Sequence, residues 1–203
     1  MNRLLLATLA LGLMLGCSSG PTKTTETAAP APKTTDQRTG RSAFQKLYVA
    51  AHGWGRDAQP YRLESQVTGD SNGRDGKSAV WRSGFASAAQ RGTKPYTWSG
   101  STDPNAPERD VTPGNEDTYN PSNSSTKVFD IAFLKVDSDK AFEVAQQHGG
   151  SKLPADTPVF YVLDWSTPTS QLVWHVIFGQ SRDTPKLRVA VDASKGDFIR
   201  VEK

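Results

Sequence analysis

Cysteine is nearly absent from this chain: Cys17 stands alone among 203 residues. It sits just behind an apolar run, so the remainder has neither a disulfide nor a thiolate metal site to build on. Long basic runs are missing too. The 24 basic and 21 acidic residues nearly cancel, to +3, and form no stripe that could track phosphates, which excludes nucleic acid as a partner. The leading apolar stretch, residues 4–15, is too short to cross a hydrocarbon core of about 30 Å as a helix. Hydrophobic residues amount to 35%, so part of the chain cannot contribute to a core. No Gly-x-Ser-x-Gly elbow occurs, and no pair of carboxylates is spaced for glycoside chemistry. The chain therefore reads as non-catalytic, with no cofactor.

What is present begins with an address. Arg3, the apolar residues 4–15 and a small residue before Cys17 make residues 1–16 a signal peptide pattern. Leu13-Met14-Leu15-Gly16-Cys17 resembles the lipobox of bacterial lipoproteins, with Met14 where that pattern prefers Leu. The resemblance implies that Cys17 carries the lipid, becomes the first residue after cleavage and attaches the protein to a membrane. Ser18, where an inner-membrane retention signal places Asp, implies the outer membrane, facing periplasm or surface. Residues 17–40 are rich in Thr, Ala, Pro, Lys and Ser, cannot bury enough apolar area to offset their ordering entropy, and are expected to form a disordered tether.

Beyond the tether the chain repeats itself. Gln171 to Phe178 alternates Leu172, Trp174, Val176 and Phe178 on one side with Val173, His175 and Ile177 on the other, as an interior strand would. Lys77 to Phe85 is a looser copy: Val80, Trp81, Arg82 and Phe85 fall on Val173, Trp174, His175 and Phe178 at an offset of 93 (174 − 81). Upstream, Phe44, Leu47, Tyr48 and Ala51 recur at helical spacing between Ser42 as cap and Gly53 as stop. A second helix has Ala141, Phe142 and Ala145 on one face, with Asp137 or Ser138 as cap and Gly149-Gly150 as terminator. These helices match at an offset of 98 (141 − 43), and the turn-rich segment 69–76 takes up the difference.

Each half reads as helix, strand, strand, strand: residues 41–100, then a polar linker loop over 101–127, then 128–203, opening with a strand over 128–136. The expectation is an α+β fold with antiparallel sheet, one helix per half packed on a face, and the two halves able to merge into one sheet.

The ending Val191-Asp192-Ala193-Ser194-Lys195-Gly196, behind a helix and a Trp-bearing strand, resembles a PepSY domain. Its turn has a local logic: Asp192 accepts backbone donors and Gly196 takes the left-handed position. The resemblance covers residues 138–201 and reaches the first half only through the repeat. It implies a cell-surface or secreted module that binds or restrains a peptidase, a peptide or another envelope component; separately, a sheet built from two halves leaves an open edge that suits strand addition by an extended peptide.

Candidate site residues are few. His52 and His148 lie at helix C-termini, where an imidazolium suits the dipole. His175 takes the place of Arg82 on a strand face. Residues 70–76 have Arg74 where a calcium loop needs a ligand, so no metal is expected. Trp81 and Trp174 are core residues by their recurrence. Trp98 and Trp165, near strand ends beside polar residues, are the candidate ligand-binding rings, able to anchor a peptide or, in the alternative reading, to stack on a glycan of the cell wall.

Overall fold

The computed structural model describes residues 34–202, and the following concerns those residues. The expected signal peptide and Cys17 lie outside them. The element order is β1 (Arg38–Thr39), α1 (Gly40–Trp54), β2 (Gln59–Gln66), β3 (Lys77–Ser78), β4 (Val80–Ser87), β5 (Gly92–Ser99), β6 (Asp110–Pro113), β7 (Asp117–Thr118), α2 (Ser138–Gln147), β8 (Val159–Ser166), β9 (Gln171–Phe178), β10 (Leu187–Asp192) and β11 (Phe198–Glu202). The fold is α+β.

The two halves share one antiparallel sheet in the order β11-β10-β9-β8-β2-β4-β5-β6, with β7 also on β5. On either side of the junction stand four strands, β2, β4, β5 and β6 on one and β8, β9, β10 and β11 on the other, and the halves join through β2 and β8, where Leu63 pairs with Leu163. From that junction the order runs outward alike on both sides, as an approximate twofold repeat. Both helices lie on one face. Ala43, Phe44, Leu47 and Ala51 of α1 and Ala141, Phe142, Val144 and Ala145 of α2 share a single core with Leu63, Trp81, Phe85, Trp98, Leu163, Trp174, Val176 and Phe178. The period-two reading of β9 holds residue by residue: its even-numbered side enters this core.

Trp81 and Trp174 occupy equivalent places. Their rings meet edge to face with centroids 6.3 Å apart. Trp81 donates its indole N–H to the Arg38 carbonyl at 2.8 Å, and Trp174 donates to the Val136 carbonyl at 3.0 Å. Each acceptor lies two residues before its helix, so each indole sets the entry of the chain into the helix above it.

Several expectations are corrected. The tether does not extend to residue 40: Asp36 N donates to the Gly100 carbonyl, and β1 pairs with β3. Ser42 does not cap α1; the helix begins at Gly40, whose N–H is taken by Ser138 Oγ, while Arg41 N donates to Asp137 Oδ1, so the first helix is capped from the second. Residues 128–136 form no strand but a short 3₁₀ turn, Ile131–Phe133, because Asp130 caps Ala132 N and closes the backbone locally. The linker of 101–127 is not all loop: β6 and β7 come from it and extend the sheet beyond β5.

The segment 69–76 does more than turn between strands. Gly73 and Gly76 have positive φ of 79° and 72°, and the segment docks on the other half, where Tyr161 Oη donates to the Gly73 carbonyl and accepts from Gly76 N. A Cβ at Gly76 would lie 2.1 Å from the Asp139 backbone, which only glycine permits.

Candidate functional site

With both helices on one side, the opposite face of the sheet carries polar side chains into a cleft of about 1090 Å³. Its floor is the row on which β9, β8, β2 and β4 align His175 with Val162, Val162 with Glu64 and Glu64 with Arg82. Phe160 and Tyr61, both half-buried, add apolar surface, and the segment 180–183 forms a rim. Tyr61 projects here because β2 slips register between Pro60 and Arg62, and it lies flat on Gly84, where a Cβ would come within 2.3 Å of the ring. Burial raises the Tyr61 phenol above its ordinary value, so it is a neutral donor at physiological pH.

The cleft is organised by ion pairs between the halves. Glu64 accepts from Arg62 Nε at 2.9 Å and from Arg182 Nη1 at 2.6 Å, and Arg62 reaches Asp164 at 3.4 Å. His175 is held at both ring nitrogens, by Glu202 at 2.7 Å and Asp164 at 3.2 Å. Burial works against its charge, but the two carboxylates outweigh it and raise its pKa to about 9. An imidazolium with both N–H groups engaged offers no lone pair, which disqualifies it as a general base near neutrality. Arg82 is exposed and makes no ion pair among the described residues. Arg188 donates from Nη2 to the Arg182 carbonyl, while its Nε is buried without a partner.

The residues singled out from sequence fare differently. Trp98 is 1% exposed, packed in the core with Arg38 over its ring at 5.1 Å, so the exposure expected from its place near a strand end is wrong: Val111 of β6 pairs beside it and packs on the same core. Trp165 is half-buried and meets Phe133 edge to face at 5.3 Å. The two rings line no common trough. His52 lies against Tyr48 with the rings tilted by 46°, and His148 lies parallel to Phe198 at 3.7 Å. The Asp192 turn forms as read, with Ser194 N and Lys195 N donating to Oδ1 and Gly196 at φ 82°. Asp70 is saturated by Thr35, Thr68 and Ser101 hydroxyls and Thr102 N, a set of donors and not of metal ligands. Among the described residues no group of three or more His, Cys, Asp or Glu is placed to hold a metal, and no helix is long and apolar enough to cross a membrane.

The sequence reading missed Arg62, Glu64, Asp164, Arg182 and Arg188. The one available signal was the match of Arg82 to His175 in the repeat, which marked a polar position on the outer face of both Trp strands.

No protein-family model matches this chain, and no curated protein matches it. The PepSY resemblance thus rests on the turn and the element order. A solved structure does match: that of a candidate lipoprotein from Clostridium difficile 630, determined at 1.85 Å, with a TM-score of 0.53 over 78% of this chain and 91% of that one. The two are 13% identical. What they share is the fold.

Proposed function

We propose that this chain is a non-catalytic lipoprotein of the bacterial cell envelope, anchored through Cys17 at the outer membrane, whose PepSY-like folded part binds an extended segment of another envelope protein in the cleft. The observation that carries the reading is the cleft itself. At about 1090 Å³ it lies just above the range for small-molecule sites, roughly 300–1,000 Å³, and its lining mixes the apolar Tyr61 and Phe160 with charges from both halves. Such a surface suits a polymer segment with alternating side chains better than a compact metabolite.

Two observations favour binding over catalysis. His175 is occupied at both nitrogens, and the hydroxyl of the cleft-lining Ser181 bonds Thr184 Oγ1 and Thr184 N. The glycan alternative has lost its support, since Trp98 is core and Trp165 faces Phe133. The Clostridium difficile neighbour is itself described as a lipoprotein, in keeping with the lipobox.

The test is site-specific photo-crosslinking of the full chain in its native envelope. A probe at Gln180, exposed on the cleft rim, should trap one envelope protein through a defined segment; a probe at Val49, exposed on α1, should not. Equal or absent adducts at the two positions overturn the reading. Replacing Cys17 by Ser should release the protein from the membrane fraction.

A further inference from the structure

The cleft has an excess of fixed positive charge, and that excess sits at its two ends. Four arginines and three carboxylates, Glu64, Asp164 and Asp183, line the cleft; Arg62 and Arg182 are paired with Glu64 and Asp164 in the middle, and the two arginines outside any ion pair stand at the ends. At one end, Arg82 in β4 projects its guanidinium to solvent with no carboxylate partner among the described residues. At the other, Arg188 in β10 keeps a buried Nε without an acceptor, although its Nη2 is tied to the Arg182 carbonyl. A buried guanidinium nitrogen lacking an acceptor is an unfilled position in a hydrogen-bond network, and a carboxylate fills it with a charge-assisted bond.

We propose that the cleft selects acidic peptide segments, with one carboxylate received by Arg82 and a second by Arg188. This rests on the peptide-binding reading above and specifies the chemistry of the segment. Between β4 and β10 lie β2, β8 and β9, so the two arginines stand four strand spacings apart, roughly 19 Å. An extended chain covers that distance in about six residues. The segment therefore crosses the strands with acidic side chains at positions i and i+6, and its intervening apolar side chains rest on Tyr61 and Phe160, which are half-buried in the cleft. Glu64 sets the selectivity from the other direction: it neutralises Arg182 and repels a carboxylate placed at the centre.

Fluorescence anisotropy with the full-length chain in nonionic detergent tests this. The probe is a labelled, amidated heptapeptide Glu-Ala-Val-Ser-Val-Ala-Glu, compared with the twin in which both Glu are Gln. The acidic peptide should bind at least about tenfold more tightly than its twin, since one charge-assisted hydrogen bond is worth roughly that factor. Arg82→Gln, at an exposed position, should lose most of the difference, Arg188→Gln the rest, and added salt should weaken only the acidic probe. Arg188→Lys should restore part of the affinity, separating loss of charge from loss of fold. Equal binding of the two peptides at the cleft overturns the acidic preference and leaves the peptide reading standing. Binding of neither peptide, together with no crosslink from Gln180, overturns both.

Discussion

Gly40 and Ser138 occupy equivalent positions in the two halves, and the structure joins them directly: Gly40 N donates to Ser138 Oγ at 2.7 Å. The same hydroxyl donates to the Gly76 carbonyl at 2.6 Å, so one serine ties the start of α1, the start of α2 and the docked 69–76 segment. The Trp81 and Trp174 rings lie beneath this junction. A Cβ at Gly40 would meet Trp174 Cη2 at 2.6 Å and Trp81 Cη2 at 3.2 Å.

Gly40→Ala should therefore destabilise despite the better helix propensity of alanine. Forcing a methyl against two buried indoles costs about 1–3 kcal/mol, which for a domain of this size lowers the melting temperature by roughly 5 °C. An unchanged or higher melting temperature in calorimetry would show that the rings yield.

Tyr161→Phe removes one hydroxyl that serves two buried backbone groups, the Gly73 carbonyl and Gly76 N–H. Leaving them unpaired should cost about 1–3 kcal/mol in denaturant titration. Faster amide exchange should be confined to the 69–76 segment and the start of α2; exchange that rises uniformly would argue against a local role.

The His175 bridge gives a pH dependence of definite sign. Its pKa is raised from 6.5 to about 9, so the folded state binds the proton more tightly than the unfolded chain. That contribution is complete below pH 6.5 and is lost as pH climbs through 9. The stability advantage of the wild-type protein over His175→Gln should shrink between pH 6.5 and 10. An advantage that grows over that interval would refute the cationic bridge.

Asp70 gives the opposite sign. Burial opposes its charge, but the hydroxyls of Thr35, Ser101 and Thr68 and the Thr102 N–H hold its carboxyl well below the usual range. Its contribution is present above the ordinary value of 3.8 and disappears on acidification toward the folded value. Asp70→Asn at neutral pH should release the 34–37 segment, detected as loss of exchange protection at the Asp36 amide, which bonds Gly100. Retained protection there would place the tie elsewhere.

Much of the fold was legible because it is written at short range. The alternation in 171–178 and the helical spacing of Phe44, Leu47 and Ala51 are local patterns that the sheet and the helix-bearing face simply use. Residues 128–136 show where pattern alone fails: Phe129 and Leu134 are buried as a strand would bury them, yet the Asp130 cap bends the backbone between them. The cleft was illegible for another reason. Glu64 and Arg182 stand 118 residues apart, and Arg62 and Asp164 stand 102 apart, so no window of sequence contains either pair. Trp98 was misread because its exposure was inferred from a strand end, and a linker with few apolar residues supplied the strand that covers it.

The shared serine also explains why the repeat is imperfect where its halves touch. Gly40 and Ser138 meet at the junction of the halves, so the space there is filled once, by Ser138, and left empty once, at Gly40. The half that gives up its side chain borrows the helix cap of the other. The second half caps its own helix through Asp137, while the first half holds its opening turn only with the second in place, so the two like parts are not equal partners.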